Sequence, residues 1–202
     1  MRRALVLSTV VLLAGCQGQA AEEDAAPEAA AAPSASASLD PAILARDAEQ
    51  KRIWAAACAA DETPVFTCTF KDGKRVAVCG AGEGNGRYRF GGATPEIEID
   101  GGQYTSVMYS GGGESQIAFD NGDTRYIVFS RMVRTGFDED GNNLPAISDG
   151  IVIERGGKFL DIKLCEDPDV LPVQTGAANA IWEDEREPFT EETMRADPPG
   201  NE

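Results

Sequence analysis

Between residues 61 and 166 the chain is cut by glycine into short pieces. This stretch holds 18 of its 22 glycines, and between them apolar and polar residues alternate in runs of four to six. A period of two is the pattern of a strand with one buried face, and paired glycines supply the turns that separate strands. The runs are Val65–Phe70, Lys74–Cys79, Arg87–Phe90, Glu96–Asp100, Tyr104–Tyr109, Ser115–Phe119, Arg125–Phe129, Asp149–Glu154 and Phe159–Leu164. Turn signals separate them at Asp72-Gly73, Gly91-Gly92, Gly101-Gly102, Gly111–Gly113, Asn121-Gly122 and Gly156-Gly157. About eight short strands at this spacing predict an all-β domain, a small antiparallel barrel or sandwich. No long helical run interrupts them, so a parallel sheet with crossover helices is not expected.

The flanks read differently. Arg2 and Arg3 precede an apolar run from Ala4 to Leu13, which is too short to cross a bilayer as a helix of ~20 residues. It ends in Leu13-Ala14-Gly15-Cys16, which resembles the lipobox of bacterial lipoproteins. That resemblance implies a signal peptide at 1–15, acylation of Cys16, and a membrane contact made through the lipid. Several acyl chains together make a durable anchor. Gln17 stands where an Asp would retain an enteric lipoprotein at the inner membrane, so the cell envelope, and within it the outer membrane, is the expected location. Residues 16–38 are rich in Ala, Pro, Ser and Glu and carry no large apolar side chain. They predict a disordered tether. Asp40-Pro41 reads as the start of one helix within 39–60. The 61–166 β domain, read as a barrel, follows, and an acidic tail at 167–202 either drapes over it or stays mobile.

Four cysteines remain, Cys58, Cys68, Cys79 and Cys165. In an exported chain an even set reads as two disulfides. A three-residue loop Lys71-Asp72-Gly73 pairs Phe70 with Lys74, Cys68 with Val76 and Phe66 with Val78. Cys79 then faces away from Cys68 and cannot reach it. Cys68 is therefore expected to bond Cys58 or Cys165.

Charge and residue type exclude several chemistries. Without Arg2 and Arg3 the chain has 16 basic and 34 acidic groups, a net of −18, which repels phosphate backbones and argues against nucleic acid as a partner. The chain has no histidine, which removes imidazole bases and histidine metal ligands. No phosphate loop, nucleophile elbow or dinucleotide fingerprint occurs, and no carboxylate pair stands out. The expectation is a non-enzymatic binding module needing no cofactor. Its candidate contact residues are Tyr109, Ser110, Gly111 and Glu114, around the glycine triplet. The alternative is a small-ligand or calcium-binding protein. Asp138, Asp140, Asn142 and Asp149 fall at spacings similar to those of an EF-hand loop, though Asn143 stands at the position of its invariant glycine.

The strings Cys68-Thr69-Phe70-Lys71-Asp72-Gly73-Lys74 and Tyr109-Ser110-Gly111-Gly112-Gly113 resemble those of a group of proteobacterial exported lipoproteins, mostly without assigned function. More distantly, the strand order is similar to that of the membrane-bound inhibitors of c-type lysozyme. In that family an eight-stranded barrel carries a cysteine bridge from first strand to last. Phe66-Thr67-Cys68 would match the opening strand and Cys165 the closing cysteine. Ser110-Gly111 match the start of the inhibitors' Ser-Gly-x-x-Tyr loop, with Glu114 at the tyrosine position. The resemblance implies a lysozyme-like hydrolase as partner.

Overall fold

In a computed structural model of the chain, residues 40–199 are described, apart from 56 and 167–169. The expected signal peptide, Cys16 and the expected tether lie outside the described residues. Helix α1 spans Pro41–Ala55, within the 39–60 segment and starting where Asp40-Pro41 places it. Asp40 caps it, its Oδ1 accepting the Ala42 N–H at 2.8 Å, and proline takes the first helical position, where no hydrogen bond is missed.

All nine sequence runs become strands. Strands β1 (Thr63–Thr69), β2 (Arg75–Gly80), β3 (Gly86–Gly91) and β4 (Pro95–Gly101) form one antiparallel sheet in sequence order. Strands β5 (Gln103–Tyr109), β6 (Gly112–Asn121), β7 (Thr124–Phe137), β8 (Asn143–Arg155) and β9 (Lys158–Leu164) form a second, also in order. The β1–β2 register pairs Cys68 with Val76 and Phe66 with Val78. The Phe70 N–H donates to Lys74 O, and Gly73 takes a positive φ of 80°.

Of the two architectures expected, the molecule is a sandwich and not a barrel. Closure would require β4 to pair with β5 and β9 with β1. The free edges of β1 and β5 are instead occupied by the C-terminal tail. Thr67 and Leu171 exchange backbone hydrogen bonds at 3.1 and 3.0 Å, and the Gln174 N–H donates to Val65 O. On the other sheet the Glu185 N–H donates to Tyr104 O and the Ser106 N–H to Asp184 Oδ1. The edges of β4 and β9 carry charge instead, at Glu96, Glu98 and Asp100 and at Lys158, Asp161 and Lys163, a common guard against further pairing.

The core lies between the sheets. Phe66, Val76, Val78 and Tyr88 from the first sheet meet Tyr104, Ile117, Phe119, Val128 and Ile151 from the second, all essentially inaccessible. The tail closes one end. Helix α2 (Thr175–Ile181) brings Ala178, Ile181 and Trp182 into this cluster. Trp182 meets Phe119 edge-on at 6.4 Å and donates its indole N–H to Gly101 O. Two disulfides staple the fold. Cys68–Cys165 joins β1 to the end of β9, and Cys58–Cys79 joins the segment after α1 to β2. The acidic tail thus drapes over the domain, because Leu171, Val173, Ile181 and Trp182 are buried against it.

Candidate functional site

The second sheet is longer than its cover. Its inner face carries three successive cross-strand rows from β5 to β8. Tyr104, Ile117, Val128 and Ile151 form the first and are core. Ser106, Ser115, Ser130 and Asp149 form the second. Met108, Gly113, Met132 and Ile147 form the third. That last row points the same way as the core, yet Met108 is 82%, Ile147 69% and Met132 42% exposed. Strands β7 and β8 run on to Phe137 and Asn143, whose hairpin exposes Phe137 as well. Scattered apolar residues on a surface need no explanation, but a contiguous apolar row does.

Between the exposed row and the tail segment at Pro172–Thr175 runs a groove of about 290 Å³ with the serine row and Asp149 at its base. The Val173 N–H donates to Ser130 Oγ at 2.7 Å, which turns the Ser130 hydroxyl towards Asp149 Oδ1 at 2.5 Å. Burial pushes the Asp149 carboxyl above the usual carboxylate range, and the Ser130 hydrogen bond pulls it partly back. The folded state therefore holds the Asp149 proton more tightly than the unfolded chain does. Its contribution to stability is greatest below the ordinary Asp value and is lost as pH rises through the raised one. Asp149→Asn is expected to abolish this term. The parent-minus-variant unfolding free energy should fall between pH 3 and neutrality, read by chemical denaturation across pH; a flat difference would contradict the assignment.

The opposite face of the same sheet is covered by the end of the tail. Glu114 on β6 and Arg131 on β7 are side-by-side partners, bonded at 2.7 Å with side chains only 3% and 9% exposed. Arg131 also grips Asp197 through two hydrogen bonds of 2.7 Å and donates to Tyr109 Oη at 2.7 Å. Gln116 behaves as a short stand-in for a backbone strand. Its Oε1 accepts from the Phe189 and Thr190 N–H groups, while its Nε2 donates to Thr190 O and Glu114 Oε1. A second apolar cluster of Ala118, Ile127, Phe129 and Val152 packs there against Phe189 and Ala196.

The expected contact residues thus divide. Ser110 and Gly111 form the exposed turn between β5 and β6, where Gly111 needs its φ of +83°. Gly112 is required by packing, since a Cβ there would strike the Met132 carbonyl. Glu114, expected at a contact surface, is instead buried in an ion pair beneath the tail, and Tyr109 is tied to the same network. Glu114 and Asp149 border the groove but project from opposite faces of the sheet, so they cannot flank one substrate as an acid/base pair.

The calcium set does not assemble. The Asp138 carboxylate closes its own loop, accepting the Asp140 N–H and both the backbone and side-chain N–H groups of Asn142. The side-chain bond from Asn142 leads in holding it below the usual carboxylate range. Asp140 is exposed on the same loop. Asp149 pairs with Ser130, seven residues down β7 from Phe137, roughly 20 Å away at 3.3 Å per residue. Among the described residues, one group has metal-ligand spacing, Cys58, Glu62 and Cys79, but its two sulfurs are joined to each other. Glu62 is instead held by Arg89 and Arg87, bonds that keep its carboxyl below the usual range.

Met132, Ile147 and the groove role of Asp149 were missed from sequence, although a signal existed. The period of two continues through Ser130, Met132 and Arg134, and through Ile147, Asp149 and Ile151. No family model, curated protein or solved structure matches the chain.

Proposed function

We propose that this chain is a lipid-tethered, non-catalytic binding module of the cell envelope, favoured at the outer membrane. It would grip a basic protein through the overhanging end of its second sheet, with a lysozyme-like hydrolase as the candidate partner. The exposed row Met108–Met132–Ile147 carries this reading, since it is an apolar strip on a sheet beside the Ser110-Gly111 turn. Apolar anchors of this kind, ringed by polar groups, supply most of the energy of protein contacts. The surplus of acidic over basic groups, 34 against 18, favours a basic partner and speeds its approach.

The test is the rate at which c-type lysozyme clears a peptidoglycan suspension in the presence of the purified protein. Clearing is expected to slow, and Ile147→Glu to weaken the effect about tenfold by placing a charge in the apolar strip. Unchanged clearing at high-micromolar protein would remove lysozyme as the partner.

A further inference from the structure

The groove beneath the exposed row has its own chemistry. Its upper walls are the thioether chains of Met108 and Met132 together with Ile147, and Pro172 and Val173 face them. At its base one carboxylate sits in largely apolar surroundings, a setting in which a charge is unfavourable until it meets its opposite. Asp149 Oδ1 is already engaged by Ser130. That arrangement leaves Oδ2 as a single acceptor, with the paired hydroxyls of Ser106 and Ser115, 3.2 Å apart, along the same row. Among the described residues no cation pairs with it. Arg131 is held by Glu114 and Asp197 on the opposite face, Arg134 lies over the Phe137 ring at 4.9 Å, and Lys163 reaches towards Asp72.

An apolar slot ending in one free carboxylate oxygen and hydroxyls matches an ammonium group on an unbranched hydrocarbon stem. A guanidinium prefers both oxygens of a carboxylate, and here one is taken. The compact ammonium donates in three directions and is satisfied by one carboxylate oxygen and neighbouring hydroxyls. Its four-carbon stem would lie along the methionines. We propose that the groove receives a lysine side chain of the partner protein, with its ammonium on Asp149. This deepens the reading of the protein as a binding module and specifies how it would recognise a basic partner.

The probe is acetyl-Gly-Lys-Gly-amide, titrated into protein labelled at its methionine methyls and followed by NMR. The matched peptides with arginine or norleucine in place of lysine, and n-butylammonium, serve as comparisons. Saturable shifts of the Met108 and Met132 methyls are expected with the lysine peptide, at a dissociation constant of about 1 mM, the range open to so few atoms. Asp149→Asn, which keeps an acceptor for Ser130, should weaken it tenfold or more. Ile147→Ser, on the exposed rim, should weaken it about threefold without touching the carboxylate. Equal binding of the norleucine peptide would show an apolar contact alone and overturn the proposal. Preference for arginine, or binding of butylammonium without the lysine peptide, would overturn the lysine assignment, as would an absence of saturable shifts. No lysozyme enters this titration, so failure of the clearing assay and failure here are separate results.

Discussion

Replacing Cys68 and Cys165 together by alanine is expected to lower the unfolding free energy by about 5 kcal/mol. The bridge closes a loop of 97 residues, and in the chain-entropy description the gain from a cross-link grows with the logarithm of that length. The second bridge, Cys58–Cys79, closes only 21, and its removal by the same substitutions should cost about 3 kcal/mol. Urea titrations of the two double variants against the parent measure both. The order of the two losses is the diagnostic, because Cys68–Cys165 ties the first strand of one sheet to the last strand of the other. If both losses were equal, or the longer loop cost less than 2 kcal/mol, the bridge would be incidental to a fold already held by its core.

Arg131→Met is expected to cost about 3–5 kcal/mol, which in a domain of this size lowers the melting temperature by roughly 10 °C. Burying charged groups is unfavourable in itself, so the danger lies in breaking the set rather than in lacking it. Removing the guanidinium strands the Glu114 carboxylate under the tail and frees Asp197. Adding Glu114→Gln to Arg131→Met should recover a large part of the loss, because the buried carboxylate then becomes neutral. The tail should also loosen in the single variant, and trypsin cleavage after Arg186 and Arg195 reads that directly. A single variant within 1 kcal/mol of the parent would mean that Phe189 and the second apolar cluster hold the tail unaided.

The β1–β2 hairpin was legible because three local signals agreed. Asp72-Gly73 set the turn, and Phe66, Cys68 and Phe70 alternated opposite Val76 and Val78. Only one loop length put those apolar residues on one face, and that register also kept Cys68 away from Cys79. The choice between barrel and sandwich was not legible, since it depends on which segments cap the edges of β1 and β5. Those segments, around Leu171 and Asp184, are short and non-repetitive, and their hydrogen bonds are made largely by the backbone, which every sequence shares. Helix α2 was hidden for a related reason: Thr175-Gly176-Ala177-Ala178 has no strong helical period, and packing of Ala178 and Ile181 holds it in place.

The site was legible only in part. The glycine triplet drew attention to the right end of the sheet, but its glycines answer to a turn and to the Met132 backbone. Glu114 looked like a surface acid because burial of a charge is invisible until its partner is known, and Arg131 lies seventeen residues away on the next strand. Asp149 was grouped with Asp138 by spacing, whereas a long hairpin leaves Asp138 at its tip and places Asp149 halfway along β8. Strands β7 and β8, at 14 and 13 residues, exceed the usual strand length. Their outer halves are interrupted by Arg131, Arg134, Thr135, Asn143 and Pro145, which reads as loop.

The edge contact between Thr67 and Leu171 has a consequence for how the protein is made. A ribosome delivers Thr67 first and its edge partner more than a hundred residues later, so at 5–20 residues per second the strand waits roughly 5–20 s for cover. Throughout that interval a nascent chain offers an open ladder to its neighbours. Any product cut short before Leu171 keeps that ladder open for good, together with the one on β5. Premature termination here should therefore yield insoluble intermolecular sheet rather than a smaller working domain.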